Sequence, residues 1–214
     1  FVASLASAIF PSRTRNPPTW IALAATLSCT ILTMMLYPAV SSGEIVRREI
    51  EWIPELGLAF TLRVDGFAWL FAMMISVIGL LVVIYSRYYI SADDSVRRFY
   101  FFFLAFMGAM LGVVISGNLI VLVIFWELTS IFSFMLISYW HQNASARDGA
   151  RMALTVTGIG GLALLGAVLI IGHIVGSYDL DRVLDSGNLI RSSPLYVPAL
   201  LLFLLGAFTK SAQF

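Results

Sequence analysis

Cysteine is nearly absent. Cys29 stands alone in an apolar run, so the sequence offers no disulfide framework and no thiolate metal site. The two histidines, His141 and His173, are too far apart in the chain to suggest a metal cluster. Charge is scarce as well: Asp, Glu, Lys and Arg make up 12% of the residues and balance to a formal +1. That balance gives no argument for nucleic acid, and none is expected as a partner. No glycine-rich phosphate loop follows a strand, and no nucleophile elbow occurs. Soluble-enzyme chemistry is therefore not indicated. What the chain has in quantity is apolar: 60% hydrophobic residues, the composition of a multi-pass membrane protein.

The rest of the chain is arranged around Asn118–Trp140, NLIVLVIFWELTSIFSFMLISYW. About 20 mostly apolar residues span the hydrocarbon of a bilayer, so this stretch predicts a transmembrane helix. Glu127 lies near its middle. A carboxylate at that depth costs roughly 2.5–3.5 kcal/mol on insertion scales and marks a functional site that faces protein or a wet cavity. On a helix, Glu127, Ser130, Ser138 and His141 fall within an arc of roughly 80°. This is a thin polar stripe from mid-membrane to one end. A plainer reading has the hydroxyls bonding back to their own helix, which accounts for the serines but not for the glutamate.

Phe1 opens the chain without a methionine, and Phe214 lies within an unfinished apolar segment, so an N-terminal piece of a longer protein is expected. Residues 1–10 read as part of a first membrane helix and 11–18 as a short loop holding Arg13 and Arg15. Thr19 to about Pro38 reads as the second span. Segment 41–63 is a polar loop with Glu44, Glu49, Glu51 and Glu55, and alternation at 58–64 predicts a short strand or hairpin. Asp65 is placed to cap a third span, Gly66 to about Tyr89. The 90–98 loop, edged by Arg87, Arg97 and Arg98, leads to a fourth span at 99–115. Only Ser116, Gly117 and Asn118 separate that span from the central helix, which demands a tight antiparallel hairpin. After a loop at 141–148 comes a glycine-rich sixth span, Gly149 to about Val175. Its TGIGG and GHIVG runs, with Gly108 and Gly112 of the fourth span, predict close helix contact. His173 reads as structural. Residues 176–194 form a loop with Asp179, Asp181 and Asp185, and a seventh span runs from about Leu195 to Lys210.

Lys210 is the second intramembrane charge. A lysine near a helix end can snorkel to the interface, but the run TKSAQ reads better as an unwound or hydrated break, tolerated only where it lines protein or water. Glutamate and lysine in neighbouring spans shift each other's proton affinity and make a switchable proton site. Ser130, Ser138 and His141 along the central helix, with Thr209 and Ser211 beside the lysine, are the candidate supporting polar path. Counted inward from Asn118 and Leu195, Glu127 and Lys210 are 9 and 15 residues deep, an axial offset of roughly 9 Å. Arginines fall in alternate loops, 11–18, 90–98 and 141–149, which the positive-inside rule places in the cytoplasm, with the acidic loops outside.

Asp65–Ile90, Phe125–Trp140, Ala150–Ala167 and Gly206–Phe214 resemble the large A subunit of Mrp/Pha-type multisubunit cation/proton antiporters. The same superfamily includes the antiporter-like membrane subunits of respiratory complex I. The resemblance covers nearly all of the chain from Asp65 onward. It implies that Glu127 and Lys210 are the paired proton-translocating residues. It also implies a fold of inverted five-helix repeats, the first beginning at the fourth span, with a broken seventh helix. Complex I relatives carry a KAFVVTRVGD-like run in the sixth span; Met152, Gly158 and Gly161 occupy the charged positions here, which favours the antiporter branch.

The expected fold class is thus an all-α polytopic membrane protein with about seven transmembrane helices. Residues 1–98 would hold helices 1–3 with the external loop 41–63, and residues 99–214 helices 4–7 of an incomplete first repeat. The resemblance implies a transporter subunit rather than an enzyme, exchanging Na⁺ or K⁺ for protons across the bacterial cell (inner) membrane. Its partners would be other membrane subunits of a larger complex and the lipid bilayer, and no cofactor is implied. Two alternatives stand beside it: a proton-pumping arm subunit of a complex I-like redox enzyme, and a non-transporting scaffold. The scaffold reading conflicts with the desolvation cost of two mid-membrane charges.

Overall fold

The computed structural model describes residues 1–9, 16–53, 58–91 and 94–211; the Arg13 and Arg15 loop, Glu55 and Gln213 lie outside the described residues. Helices α1 (Val2–Ile9), α2 (Asn16–Met35) and α3 (Tyr37–Ser41) precede strands β1 (Val46–Ile53) and β2 (Leu58–Val64). Then follow α4 (Gly66–Tyr89), α5 (Val96–Ile115), α6 (Leu119–Ile137) and α7 (Ala144–Val175). Helices α8 (Leu180–Asp185), α9 (Gly187–Ser192) and α10 (Tyr196–Lys210) come next among the described residues. Among the described residues five helical segments are long and apolar enough to cross a membrane: residues 16–41, α4, α5, α6 and α7. The sequence predicts about seven. Helix α1 has 8 residues and α10 has 15, both short of the ~20 that a span needs.

Asparagine and aspartate fix where the long helices begin. The Asp65 carboxylate accepts from the Ala68 N–H at 2.8 Å, as predicted. Asn118 Oδ1 accepts from the N–H groups of Ile120 and Val121, so α6 starts at Leu119. Asn143 caps α7 through Ser145 N–H, which starts that helix at Ala144 instead of the predicted Gly149. At 32 residues α7 is ~48 Å long, well beyond a hydrocarbon core of ~30 Å. It ends on Gly176, whose φ of 73° is the left-handed cap that glycine takes without a Cβ clash. The predicted loop 176–194 instead contains α8 and α9, because the Asp179 carboxylate accepts from the N–H groups of Asp181 and Arg182 and nucleates a turn.

The helices pack largely in chain order. Helix α4 turns a seam of small residues inward, Ala68, Ala72, Ser76, Gly79, Val83 and Ser86, which lets α2 and α5 approach closely. One apolar core joins Ala22, Val83, Ile90, Val96, Tyr100 and Leu104 near the 90–95 turn. A second joins Leu119 and Val123 of α6 to Leu164 and Val168 of α7, with Tyr178, Leu180 and Val183 over it.

The molecule is mostly helical rather than all-α. β1 pairs antiparallel with β2 from Val46↔Val64 to Ile53↔Leu58. The sequence predicts a short strand or hairpin at 58–64, and the hairpin forms; its first strand, with four charged residues among eight, lacks the alternation that would have placed it. The α5–α6 turn adds to this hairpin, the Gly117 N–H donating to Thr61 O and the Gly117 carbonyl accepting from Leu180 N–H. A Cβ at Gly117 would come within 2.8 Å of Thr61 Cγ2, so the turn needs glycine there.

Ion pairs lock the same end. Arg47 pairs with Asp179 at 2.5 Å, Asp181 at 2.8 Å and Glu49 at 3.1 Å. The mostly buried Arg63 pairs with Asp65 at 2.5 Å and Asp181 at 2.6 Å. Burial pushes the Asp65 carboxyl up, but the Ala68 N–H and the Arg63 guanidinium outweigh it and hold the group below the ordinary carboxylate range. Asp179 is treated alike: burial opposes its charge, and Arg47 with the Arg182 N–H overcomes that.

Candidate functional site

Glu127 and Lys210 lie on α6 and α10, and α7 packs against both helices. Glu127 lies on α6 with its Oε1 buried and without a hydrogen-bond partner among the described residues. The reason it fits is Gly161. A Cβ at that position would collide with Glu127 Oε1, so the glycine makes the recess that the carboxylate fills. Gly160 does the same for Thr209 on α10, and Gly206 of α10 lies against Leu164 and the Gly160 carbonyl. The glycine run predicted to serve helix contact does so at Gly160 and Gly161, whereas Gly158 has open space beside it.

Lys210 closes α10 and reaches across to α6. Its Nζ donates to Thr129 Oγ1 at 2.5 Å and Ser130 Oγ at 3.0 Å, and it lies 5.5 Å from the centroid of the Trp126 ring. Thr129 Oγ1 in turn donates to Trp126 O at 2.7 Å, and Ser130 Oγ lies 3.4 Å from the same carbonyl. Each hydroxyl thus has its proton directed at the helix backbone and its lone pairs at the ammonium. Among the described residues Glu127 and Lys210 form no ion pair within 4 Å. The amine meets α6 two to three residues past Glu127, an axial step of ~3–4.5 Å along that helix.

Of the predicted polar path, Ser130 joins the site. Thr209 borders it, with its hydroxyl donated back to Leu205 O and Gly206 O. Ser138 back-bonds to Met135 O at the end of α6, and His141 lies beyond the helix, 3.3 Å from Arg98 Nη1 and exposed. Arg98 also donates to the Tyr139 carbonyl. The stripe therefore breaks where α6 stops. Ser211 is the exposed C-cap of α10. Helix α10 is regular down to Lys210, and residues 212–214, where the predicted break would continue, lie outside the described residues. Thr129 and Trp126 are absent from the predicted set. Thr129 is about 200° from Glu127 on a helical wheel, so a one-face stripe excludes it; its adjacency to Ser130 in ELTS was the available signal.

Residues 116–214 match the family model described as NADH:quinone oxidoreductase/Mrp antiporter, TM. Residues 52–100 match that of NADH-Ubiquinone oxidoreductase (complex I), chain 5 N-terminus. The chain belongs to the NADH:quinone oxidoreductase/Mrp antiporter family. Within it, the sequence is 61% identical over all 214 residues to the A/B subunit of a probable K⁺/H⁺ antiporter of Rhizobium meliloti, of which it covers 21%. It is 44% identical over 196 residues, 91% of the chain, to the A subunit of the Na⁺/H⁺ antiporter of Alkalihalophilus pseudofirmus, covering 24% of that protein. The chain therefore spans about a fifth to a quarter of the length of these Mrp-family relatives. The Mrp complex of Dietzia sp. superposes on 98% of this chain with a TM-score of 0.83 at 28% identity, over 23% of the matched chain. An archaeal membrane-bound sulfane sulfur reductase gives the same TM-score at 20% identity, a likeness of fold alone.

Proposed function

We propose that this chain is part of the large A subunit of a multisubunit membrane complex that exchanges Na⁺ or K⁺ for protons across the bacterial cell membrane, with Glu127 and Lys210 in its proton path. One observation carries the reading. A carboxylate with a buried oxygen that has no partner among the described residues and a lysine ammonium held by hydroxyls occupy one helix-lined site in a membrane bundle. Burying an acid and a base without pairing them directly is costly. It is useful when each has to take up and release a proton, since desolvation and mutual charge set such groups' proton affinity.

In this reading α1 and α10 count as the first and seventh spans, and residues 99–214 as the start of an inverted-repeat bundle. The 90–98 and 141–149 loops face the cytoplasm and the β1–β2 hairpin faces outward. The many apolar side chains left exposed on α2, α4 and α7 meet lipid and other subunits of the complex. The names of the relatives favour cation/proton exchange over redox-driven pumping, and the Gly161 recess replaces a charged position of the complex I pattern. The test is fluorescence-quench antiport in everted vesicles that contain the assembled complex, comparing Na⁺, K⁺ and Li⁺. Glu127→Gln is expected to abolish antiport without loss of assembly, and Glu127→Asp to retain part of it. Normal exchange by the Gln protein would overturn the assignment.

A further inference from the structure

We propose that Thr129, with Ser130, is a positioning residue for Lys210: the two hydroxyls form a cradle that holds its ammonium two to three residues along α6 from Glu127. The inference rests on the proton-path reading above and extends it to groups that neither titrate nor carry charge. An ammonium has three N–H donors and no acceptor. Here two of them are taken by Thr129 Oγ1 at 2.5 Å and Ser130 Oγ at 3.0 Å, and the Trp126 ring lies 5.5 Å away. The cradle is itself fixed. Thr129 Oγ1 spends its proton on Trp126 O at 2.7 Å, which leaves only lone pairs to offer the amine. Thr129 and Ser130 are 1% and 2% exposed, so water does not compete freely for those lone pairs.

Hydroxyls and carboxylate differ in what they do with the proton. A threonine oxygen accepts a hydrogen bond from the ammonium but has no basicity with which to take its proton; Glu127 has that basicity. Holding Lys210 on hydroxyls therefore stabilises the charged amine without discharging it. Glu127 on α6 is the charged group that faces the amine. Helix α7, packed against both, presents Gly160 and Gly161 there. Its own titratable residues, Arg147, Asp148, Arg151 and His173, lie toward its two ends. No charged residue of α10 other than Lys210 lies between Tyr196 and Lys210.

The test is the pH profile of antiport in everted vesicles with the assembled complex, for wild type, Thr129→Val, Thr129→Ser and Ser130→Ala, each checked for assembly. A charge-assisted hydrogen bond of ordinary strength corresponds to a shift of about one pH unit. Thr129→Val should move the alkaline limb to lower pH by about that much, because the ammonium loses a partner and deprotonates sooner. Thr129→Ser should restore the wild-type limb, and Ser130→Ala should shift it the same way by less. A Val profile that superimposes on wild type, or equal shifts in the Val and Ser proteins, overturns the cradle. If Val at 129 prevents assembly, Ser130→Ala decides alone, and an unshifted limb there counts against the proposal. Glu127→Gln in the same vesicles separates the two levels: inactive Gln protein with unshifted Thr129 variants sinks only the cradle, whereas active Gln protein removes the reading on which it rests.

Discussion

At Gly161 a missing methyl group decides where a charge can sit. Its absence leaves the recess that Glu127 Oε1 fills, so Gly161→Ala should push the carboxylate off its position. Displacements of that order cost up to about 100-fold in turnover at other sites, and a loss of about 10- to 100-fold in antiport is expected. Gly158 has open space beside it. Gly158→Ala should leave transport near wild type and favour the helix by up to ~1 kcal/mol. Equal transport by both variants would show that the recess does not position Glu127. Lys210 makes a complementary case. A guanidinium stays charged at any working pH, so Lys210→Arg should fail to support antiport even with the complex assembled. Full antiport by the Arg protein would reduce Lys210 to a fixed charge.

Between elements, the β1–β2 hairpin, the α5–α6 turn and α8 are joined by backbone bonds through Gly117 and by the arginine pairs. Asp65 and Asp179 have proton affinities held below the ordinary carboxylate range. A carboxylate depressed in the folded state adds stability above its unfolded value, near ~4, which is lost as pH falls through the folded value. The lock should thus be intact at neutral pH and open only in acid below ~4. Hydrogen exchange at the Gly117 and Leu180 amides, corrected for intrinsic rate, should show protection falling in that window. Arg63→Ala should lower protection already at neutral pH, because it leaves Asp65 and Asp181 each short of a charged hydrogen bond worth about 1.5–3 kcal/mol. Unchanged protection in the Ala protein would show that the backbone bonds suffice.

For the whole molecule, the arginine distribution and the bundle make one topological claim: the 90–98 loop and the hairpin end lie on opposite sides of the membrane. Ser91 and Ser42 are both exposed. Cysteines placed there, in a background with Cys29 replaced, should label with an impermeant maleimide from opposite sides. Labelling from one side only would break this topology. The two apolar cores agree with the antiparallel arrangement, one near the 90–95 turn and the other beneath Tyr178 and Leu180.

Much of this was legible in the chain itself. Long apolar runs have one solution in lipid, a helix that satisfies its own backbone, and side chains of single residues set the ends. Asp65 fixed the start of α4, and Ser116-Gly117-Asn118 fixed the α5–α6 hairpin. Glu127 and Lys210 stood out because charge is costly at that depth. What the sequence did not carry lies between helices. The strand that pairs with β2 rests on a partner segment that shows no alternation of its own, and α8 rests on a single aspartate cap inside an otherwise loop-like run. The same holds for the site. A helical wheel groups residues on one face, so it joined Ser138 and His141 to Glu127 and left Thr129 out. Only the approach of α10, drawn in by Gly160 and Gly206 against α7, put the Lys210 amine between Thr129 and Ser130, because a hydrogen bond across two helices depends on their spacing and not on the periodicity of either.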